Sequence, residues 1–222
     1  MKRLLCVFLA FAFVFCFYDK AEAKSGFSHG ERTGKRIALS FDDGPHPSFT
    51  PKILNLLQKY GIKATFFMIG CNVENYPAVA KRVASEGHEI GNHTYSHPHM
   101  RQLSLSSLLE EVRKTEDILQ KNGIKKPRLF RPPEGFRSEE QVQALEKEGY
   151  QTIIWSLDTR DWEGKAASDI ISVVLHGVRG GDVLLFHDYT SRSNTTITAL
   201  EQLIPRLLKD GYEFVTVSEL MC

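Results

Sequence analysis

From Lys35 to the end of the chain, short β-branched and aromatic runs alternate with amphipathic stretches, and this alternation narrows the fold more than any other feature. The runs RIALSF (36–41), ATFFMI (64–69), HEIGN (88–92), RLFR (128–131), QTIIW (151–155), VLLF (183–186) and EFVTV (213–217) have the length and composition of strands. Between them, residues 51–60 place Ile53, Leu54, Leu56, Leu57 and Tyr60 at helical spacing. Residues 105–119 do the same with Leu105, Leu108, Leu109, Val112, Ile118 and Leu119. Gly61, Gly87, Gly123, Gly149 and Gly211 each sit where a glycine would end such a helix. Strands separated by helices make a parallel sheet covered by those helices. An open doubly wound sheet and a closed or nearly closed barrel both satisfy the pattern.

The N-terminus is a different kind of segment. Lys2 and Arg3 precede an apolar run from Leu4 to Tyr18, and Ala21-Glu22-Ala23 has the small-x-small form of a signal-peptidase site. The run is short for a membrane span, which takes roughly 20 apolar residues. We read residues 1–23 as a signal peptide cut after Ala23, the alternative being an uncleaved anchor, and residues 24–34 as a polar linker. Residues 35–222 then form one domain, long enough to bury a sizeable core. The formal charge of +1 falls to zero once the leader is removed, with no basic stripe, so a nucleic-acid partner is excluded. Cys6 and Cys16 leave with the leader; Cys71 and Cys222 remain, far apart in sequence, and their pairing is left open.

Where the polar clusters fall decides between the two architectures. DDG (42–44) follows the first strand, HTYSH (93–97) the third, RPPEG (131–135) the fourth, DTRDW (158–162) the fifth and HD (187–188) the sixth. An open sheet gathers ligands at one switch-point crevice. The ends of five strands converge more readily on the C-terminal face of a barrel. The expected fold is therefore α/β, a distorted (β/α) barrel of about seven parallel strands in a single domain.

His93 and His97 are four residues apart, so on a helical turn both rings would face one way, a metal-ligand spacing. Asp42 or Asp43 would supply a third ligand. Two imidazoles and one carboxylate with open positions suit a catalytic Zn²⁺, with Co²⁺, Ni²⁺ or Mn²⁺ as alternatives. His99 is read as a bystander.

Taken in order, LSFDDGP, HTYSH, RPPEG, DTRDW and LLFHD resemble the five motifs of the polysaccharide deacetylase family, also called the NodB-homology domain or carbohydrate esterase family 4. The resemblance runs from Arg36 to about Val217 and implies a distorted (β/α) barrel. It implies Asp42 as catalytic base, Asp43, His93 and His97 as metal ligands, and Arg131 as the residue orienting the base. It implies His187 as catalytic acid with Asp158 as its carboxylate partner, leaving Asp161 structural. Pro133, Trp162 and Leu185 would line the substrate pocket, with the backbone N–H of Glu134 as an oxyanion donor. At Glu134 the family commonly has an aromatic residue, and a carboxylate there would alter the groove.

The residue types fit amide hydrolysis without the family. A divalent metal polarises an acetyl carbonyl and brings the pKa of water toward about 7. A carboxylate beside it takes the proton from water. A protonated histidine on the opposite side gives a proton to the leaving amine, a step worth roughly 10²–10⁴-fold. The expected function is a secreted, cell-wall-associated polysaccharide N-deacetylase, a monomer acting on GlcNAc or MurNAc residues. Peptidoglycan is favoured over chitin oligomers, and a membrane would be involved only through an uncleaved leader. Xylan O-deacetylation and a catalytically silent carbohydrate-binding wall protein are the alternatives.

Overall fold

A computed structural model describes residues 26–189 and 194–222; the leader, with Cys6 and Cys16, lies outside the described residues. Strand β1 (Arg36–Asp42) is central. The path through the sheet runs β5 (Gln151–Thr152), β4 (Leu129–Phe130), β3 (Glu89–Asn92), β2 (Thr65–Met68), β1, β7 (Val183–His187) and β6 (Leu157–Asp158). A further strand, β8 (Glu213–Val215), pairs with the first residues of β1, and every one of these ladders is parallel. The seven strands of the path curl into a half-barrel, as the strand-end clusters required. The sequence pattern did not reveal β6. A two-residue strand has no periodicity to read, and it lies inside the polar stretch that follows Trp155.

Crossovers are made by α1 (Phe49–Tyr60), α2 (Gly70–Asn75), α3 (Pro77–Ser85), α4 (Leu105–Lys121), α5 (Glu139–Lys147), α6 (Ala167–Gly177) and α7 (Asn194–Lys209); a short α8 (Val217–Leu220) ends the fold. The alternation along β1 sets the layers. Ile37, Leu39 and Phe41 face the helices and pack with Leu54 and Leu57 of α1 and Leu200 and Leu203 of α7. Ala38 faces the barrel interior with Phe67, Leu129, Ile153, Val183 and Val215. Fully burying each such leucine stabilises by roughly 1.5–3 kcal/mol, so the outer layer carries most of the apolar stabilisation. The five glycines expected to end helices all take positive φ.

Residues 26–34, expected as a linker, lie against the sheet edges instead. Phe27 forms a parallel bridge with Ile153 beside β5, and His29 an antiparallel bridge with Asp182 beside β7. The Phe27 N–H donates to the Thr152 carbonyl at 2.9 Å, and the Ile154 N–H donates to that of Phe27 at 2.7 Å. Phe27 is the one large apolar side chain in a polar stretch, and packing it, half-buried, against the inner core ties the segment down. Among the described residues no helix is long and apolar enough to cross a membrane.

Candidate active site

The register of β1 places Asp42 level with His187 on β7 and Phe67 on β2, so the polar strand ends meet on the C-terminal side of the sheet. Five non-glycine residues among those described have positive φ: Asp43 (74°), Thr94 (68°), His97 (54°), Glu134 (57°) and Arg160 (56°). Each lies in a loop leaving a strand at this end. Such conformations cost on the order of 1–3 kcal/mol apiece and persist only where surrounding contacts hold them.

Asp43 shows what this backbone achieves. Along a strand, Asp42 and Asp43 would point to opposite faces. Positive φ at Asp43 turns the chain so that Asp43 Oδ1 lies 3.5 Å from His93 Nε2, while Asp42 Oδ2 lies 3.9 Å from the same atom. Asn72 Nδ2 donates to the Asp43 carbonyl at 2.7 Å, and the Ile69 N–H donates to that of Gly44 at 2.9 Å, fixing the turn.

His93 and His97 were expected on a helical turn. The structure has no helix there. The chain leaves β3 at Asn92 and passes through left-handed conformations at Thr94 and His97, which bring the two rings to 5.1 Å between centroids. His97 Nε2 is 3.4 Å from Asp43 Oδ1. The His93 Nδ1–H donates to the Arg131 carbonyl at 2.7 Å, which can only accept, so Nε2 carries the lone pair toward Asp43.

These three side chains fit a divalent metal. Tetrahedral donors at 2.0–2.1 Å from a metal are about 3.3–3.4 Å apart, and the 3.4 and 3.5 Å separations match that edge. Asp43 Oδ1 is also a buried oxygen with no hydrogen-bond partner among the described residues. The three residues form a group able to hold a metal ion. In the chain alone, burial pushes the Asp43 carboxyl up, but His93, His187 and His97 outweigh it and leave it below the usual range. Burial depresses His97, aided by the charge of its neighbour His93. His93 resists burial because Asp42 and Asp43 raise it.

Arg131 leaves β4 fully buried, its Nη1 donating to Asp42 Oδ1 at 2.7 Å and to Ser40 Oγ at 2.9 Å. Its guanidinium lies 4.0 Å from the Phe67 ring centroid. With Oδ1 taken, Asp42 presents Oδ2 toward the donor group.

One expectation is corrected. The carboxylate partner of His187 is Asp161, not Asp158. His187 Nδ1–H donates to Asp161 Oδ1 at 2.8 Å and its backbone N–H donates to Oδ2 at 2.9 Å, while Thr196 Oγ1 donates to Oδ2 at 2.8 Å. Asp158 instead accepts the Arg160 N–H at 2.8 Å, a local turn contact. The left-handed Arg160 then swings the 3₁₀ turn Asp161–Glu163 against β7. Nothing in the DTRDW spacing announces a positive φ at an arginine. Burial lowers His187, but Asp161, then Asp42 and Asp43, overcome it and push its pKa up to about 9.

The remaining expected residues fall around this centre. Leu185 lies on the same face of β7 as His187 and is buried, whereas Trp162, beside Asp161, is 54% exposed. Pro133 is buried and opens the 3₁₀ turn Pro133–Gly135, in which the Gly135 and Phe136 N–H groups bond to the Pro132 and Pro133 carbonyls. The Glu134 side chain is exposed and its Oε1 lies 3.1 Å from His99 Nδ1, so His99 is engaged outside the metal group. Cys71 and Cys222 are both free.

Sequence reasoning missed Asp188. It is buried beside the DDGP turn, its carboxylate accepts from Thr50 Oγ1, and its backbone N–H donates to the Asp42 carbonyl at 3.2 Å. Burial pushes its pKa up to about 7, although the Thr50 bond opposes this. The adjacency of His187 and Asp188 in the HD motif was the available signal.

The model of the family described as polysaccharide deacetylase matches residues 29–153. A peptidoglycan-N-acetylglucosamine deacetylase of Bacillus cereus is 42% identical over 84% of this chain and 88% of its own. A crystal structure of a peptidoglycan N-acetylglucosamine deacetylase superposes with a TM-score of 0.87 at 37% identity, covering 91% of this chain and 95% of the other. A CE4 family pseudoenzyme from Bacillus anthracis also shares the fold, with a TM-score of 0.80 at 31% identity over 87% of this chain and 67% of its own. The resemblance of five ordered motifs, the half-barrel and these relatives agree: the chain belongs to the polysaccharide deacetylase family.

Proposed function

We propose that this protein is a metal-dependent hydrolase that removes N-acetyl groups from GlcNAc or MurNAc residues of a cell-wall polysaccharide, peptidoglycan before chitin oligomers. The observation that carries the proposal is a pair of proton-transfer groups, Asp42 and His187, at neighbouring strand ends beside one donor triad. Asp42 Oδ2 lies 3.9 Å from His93 Nε2 of the triad, while in the metal-free chain burial lowers the His187 pKa but Asp161 outweighs it and pushes it up to about 9.

Asp43, His93 and His97 would hold the metal, Zn²⁺ by their nitrogen and oxygen donors. When bound it supplies Lewis-acid polarisation of the acetyl carbonyl and lowers the pKa of water. Asp42, its other oxygen occupied by Arg131, accepts the proton of the attacking water. As the carbonyl becomes an oxyanion, the Glu134 N–H would donate to it; the positive φ at Glu134 orients that peptide. The C–N bond then breaks, acetate leaves, and His187 gives its proton to the sugar nitrogen. Asp161 fixes the ring and favours its charged form. Leu185 and Trp162 would flank the acetyl methyl.

A pseudoenzyme shares this fold, so the fold alone does not establish turnover. What supports activity here is that base, donor triad and acid are all present. We further propose that the protein is secreted by its leader, works at the wall as a monomer, and has a domain spanning residues 35–222 with residues 26–34 docked onto it. Acetate release from peptidoglycan, chitin oligomers and acetylated xylan, with and without chelator, tests the reading. Chelator-sensitive release from the first two is expected. Release from xylan alone would move the activity to O-deacetylation, and none from any glycan by metal-loaded protein would leave a binding protein.

A further inference from the structure

The segment that carries both histidines is irregular, so something outside it must hold its shape. Its backbone amides show what does. The Thr94 N–H donates to Asn92 Oδ1 at 2.9 Å and the His97 N–H to Thr94 Oγ1 at 3.2 Å, both contacts within the segment or its own strand. The two amides between them point the other way. The Tyr95 and Ser96 N–H groups donate to one oxygen of Glu111, Oε2, at 2.9 and 2.7 Å, and Ser96 Oγ donates to Oε1 at 3.0 Å.

Glu111 lies on α4, a long helix anchored in the core through Leu108, Val112 and Leu119. The same helix turn receives Asn92 Nδ2 at the Val112 carbonyl, 2.9 Å away. On the opposite side, the Gly70 and Cys71 N–H groups donate to the Thr94 and Tyr95 carbonyls at 2.9 and 3.0 Å. The segment is thus clamped between α2 and α4: Glu111 takes its amides, and Lys114 of the same helix lies over the Tyr95 ring, 3.4 Å from its centroid.

We propose that Glu111 is a positioning residue for the metal-binding segment: by gathering the Tyr95 and Ser96 amides onto one carboxylate, it holds His93 and His97 at donor spacing. This rests on the reading of His93 and His97 as metal ligands. Positive φ at Thr94 and His97 is what aims both rings at Asp43, and the residues between those two positions are the ones Glu111 grips. Without that carboxylate the two amides turn to water and the segment relaxes toward ordinary backbone. The rings then part before a metal has bound, and part of the binding free energy goes into bringing them back.

The test is equilibrium competition for Zn²⁺ between the protein and a chromophoric chelator, with the thermal midpoint of chelator-treated protein measured alongside. Glu111→Ala is expected to weaken Zn²⁺ binding by roughly 10–100-fold, the usual effect of losing an outer partner of a ligand. Glu111→Gln keeps an amide oxygen for both N–H groups and a partner for Ser96 Oγ, and is expected to bind within about threefold of wild type. Glu111→Ala with wild-type affinity but a lowered thermal midpoint would reduce the residue to a structural role and overturn the proposal. Glu111→Gln as weak as Glu111→Ala would overturn it too, because charge and not hydrogen bonding would be acting. Wild-type protein that takes up no Zn²⁺, or His97→Ala that binds as tightly as wild type, would instead defeat the ligand assignment on which the proposal stands.

Discussion

The exchange of Asp158 for Asp161 as the partner of His187 has a measurable thermodynamic consequence. His187 titrates at about 9 in the folded chain against an ordinary 6.5, because the fixed Asp161 carboxylate and the Asp42 and Asp43 charges outweigh its burial. A histidine whose folded pKa is raised stabilises the fold when protonated. That stabilisation is complete below pH 6.5 and is lost as pH rises through about 9. The gap between the two values corresponds to about 3 kcal/mol. Urea unfolding of chelator-treated protein should therefore show stability falling by about that amount across this window. Asp161→Asn removes the charge while leaving an oxygen for one of the His187 donors. The fall should then shrink to less than about half, and the His187 ring signals in NMR should titrate at lower pH. Asp158→Asn, whose carboxylate serves the Arg160 N–H, should behave as wild type. Equal flattening by both variants, or a wild-type protein with no loss of stability between neutral pH and 9, would refute the assignment.

Three other substitutions probe the site. Asp42→Asn should keep its metal while losing turnover by roughly 10²–10⁴-fold, as metal analysis and acetate release would show; loss of metal would mean that Asp42 is itself a ligand. Arg131→Met leaves Asp42 buried without its counter-charge and should destabilise by about 3–5 kcal/mol in denaturant; a change under about 1 kcal/mol would show that Asp42 is solvated after all. A methyl group added at Gly44 would lie 2.3 Å from both Asp188 carboxylate oxygens, so Gly44→Ala should cost about 1–3 kcal/mol. Adding Asp188→Ala should recover part of that loss, and strict additivity in the double-mutant cycle would place the strain elsewhere.

The periodic features were legible without a structure. Hydrophobic spacing found every strand of four or more residues and both long crossover helices it named, and polar clusters at strand ends called for a barrel. Asp42, Asp43, His93, His97, Arg131 and His187 converge as the ordered motifs implied. The errors share one cause. β6 is two residues long, the segment around Phe27 docks through one apolar side chain and isolated backbone bridges, and the segment from His93 to His97 converges by left-handed backbone where a helical turn was expected.

Periodicity is a local property, repeated along the chain, and a sequence carries it in full. A positive φ at a histidine, a threonine or an arginine is opposed by local preference and exists only because distant contacts hold it. Glu111 grips the loop after β3 from α4, and Arg160 turns Asp161 onto a strand more than twenty positions away. The sequence by itself therefore determined the layers, the barrel and the residue types at its mouth. Only the tertiary structure decided which carboxylate faces His187 and how two adjacent aspartates come to face one histidine, because both depend on backbone conformations that no local pattern favours.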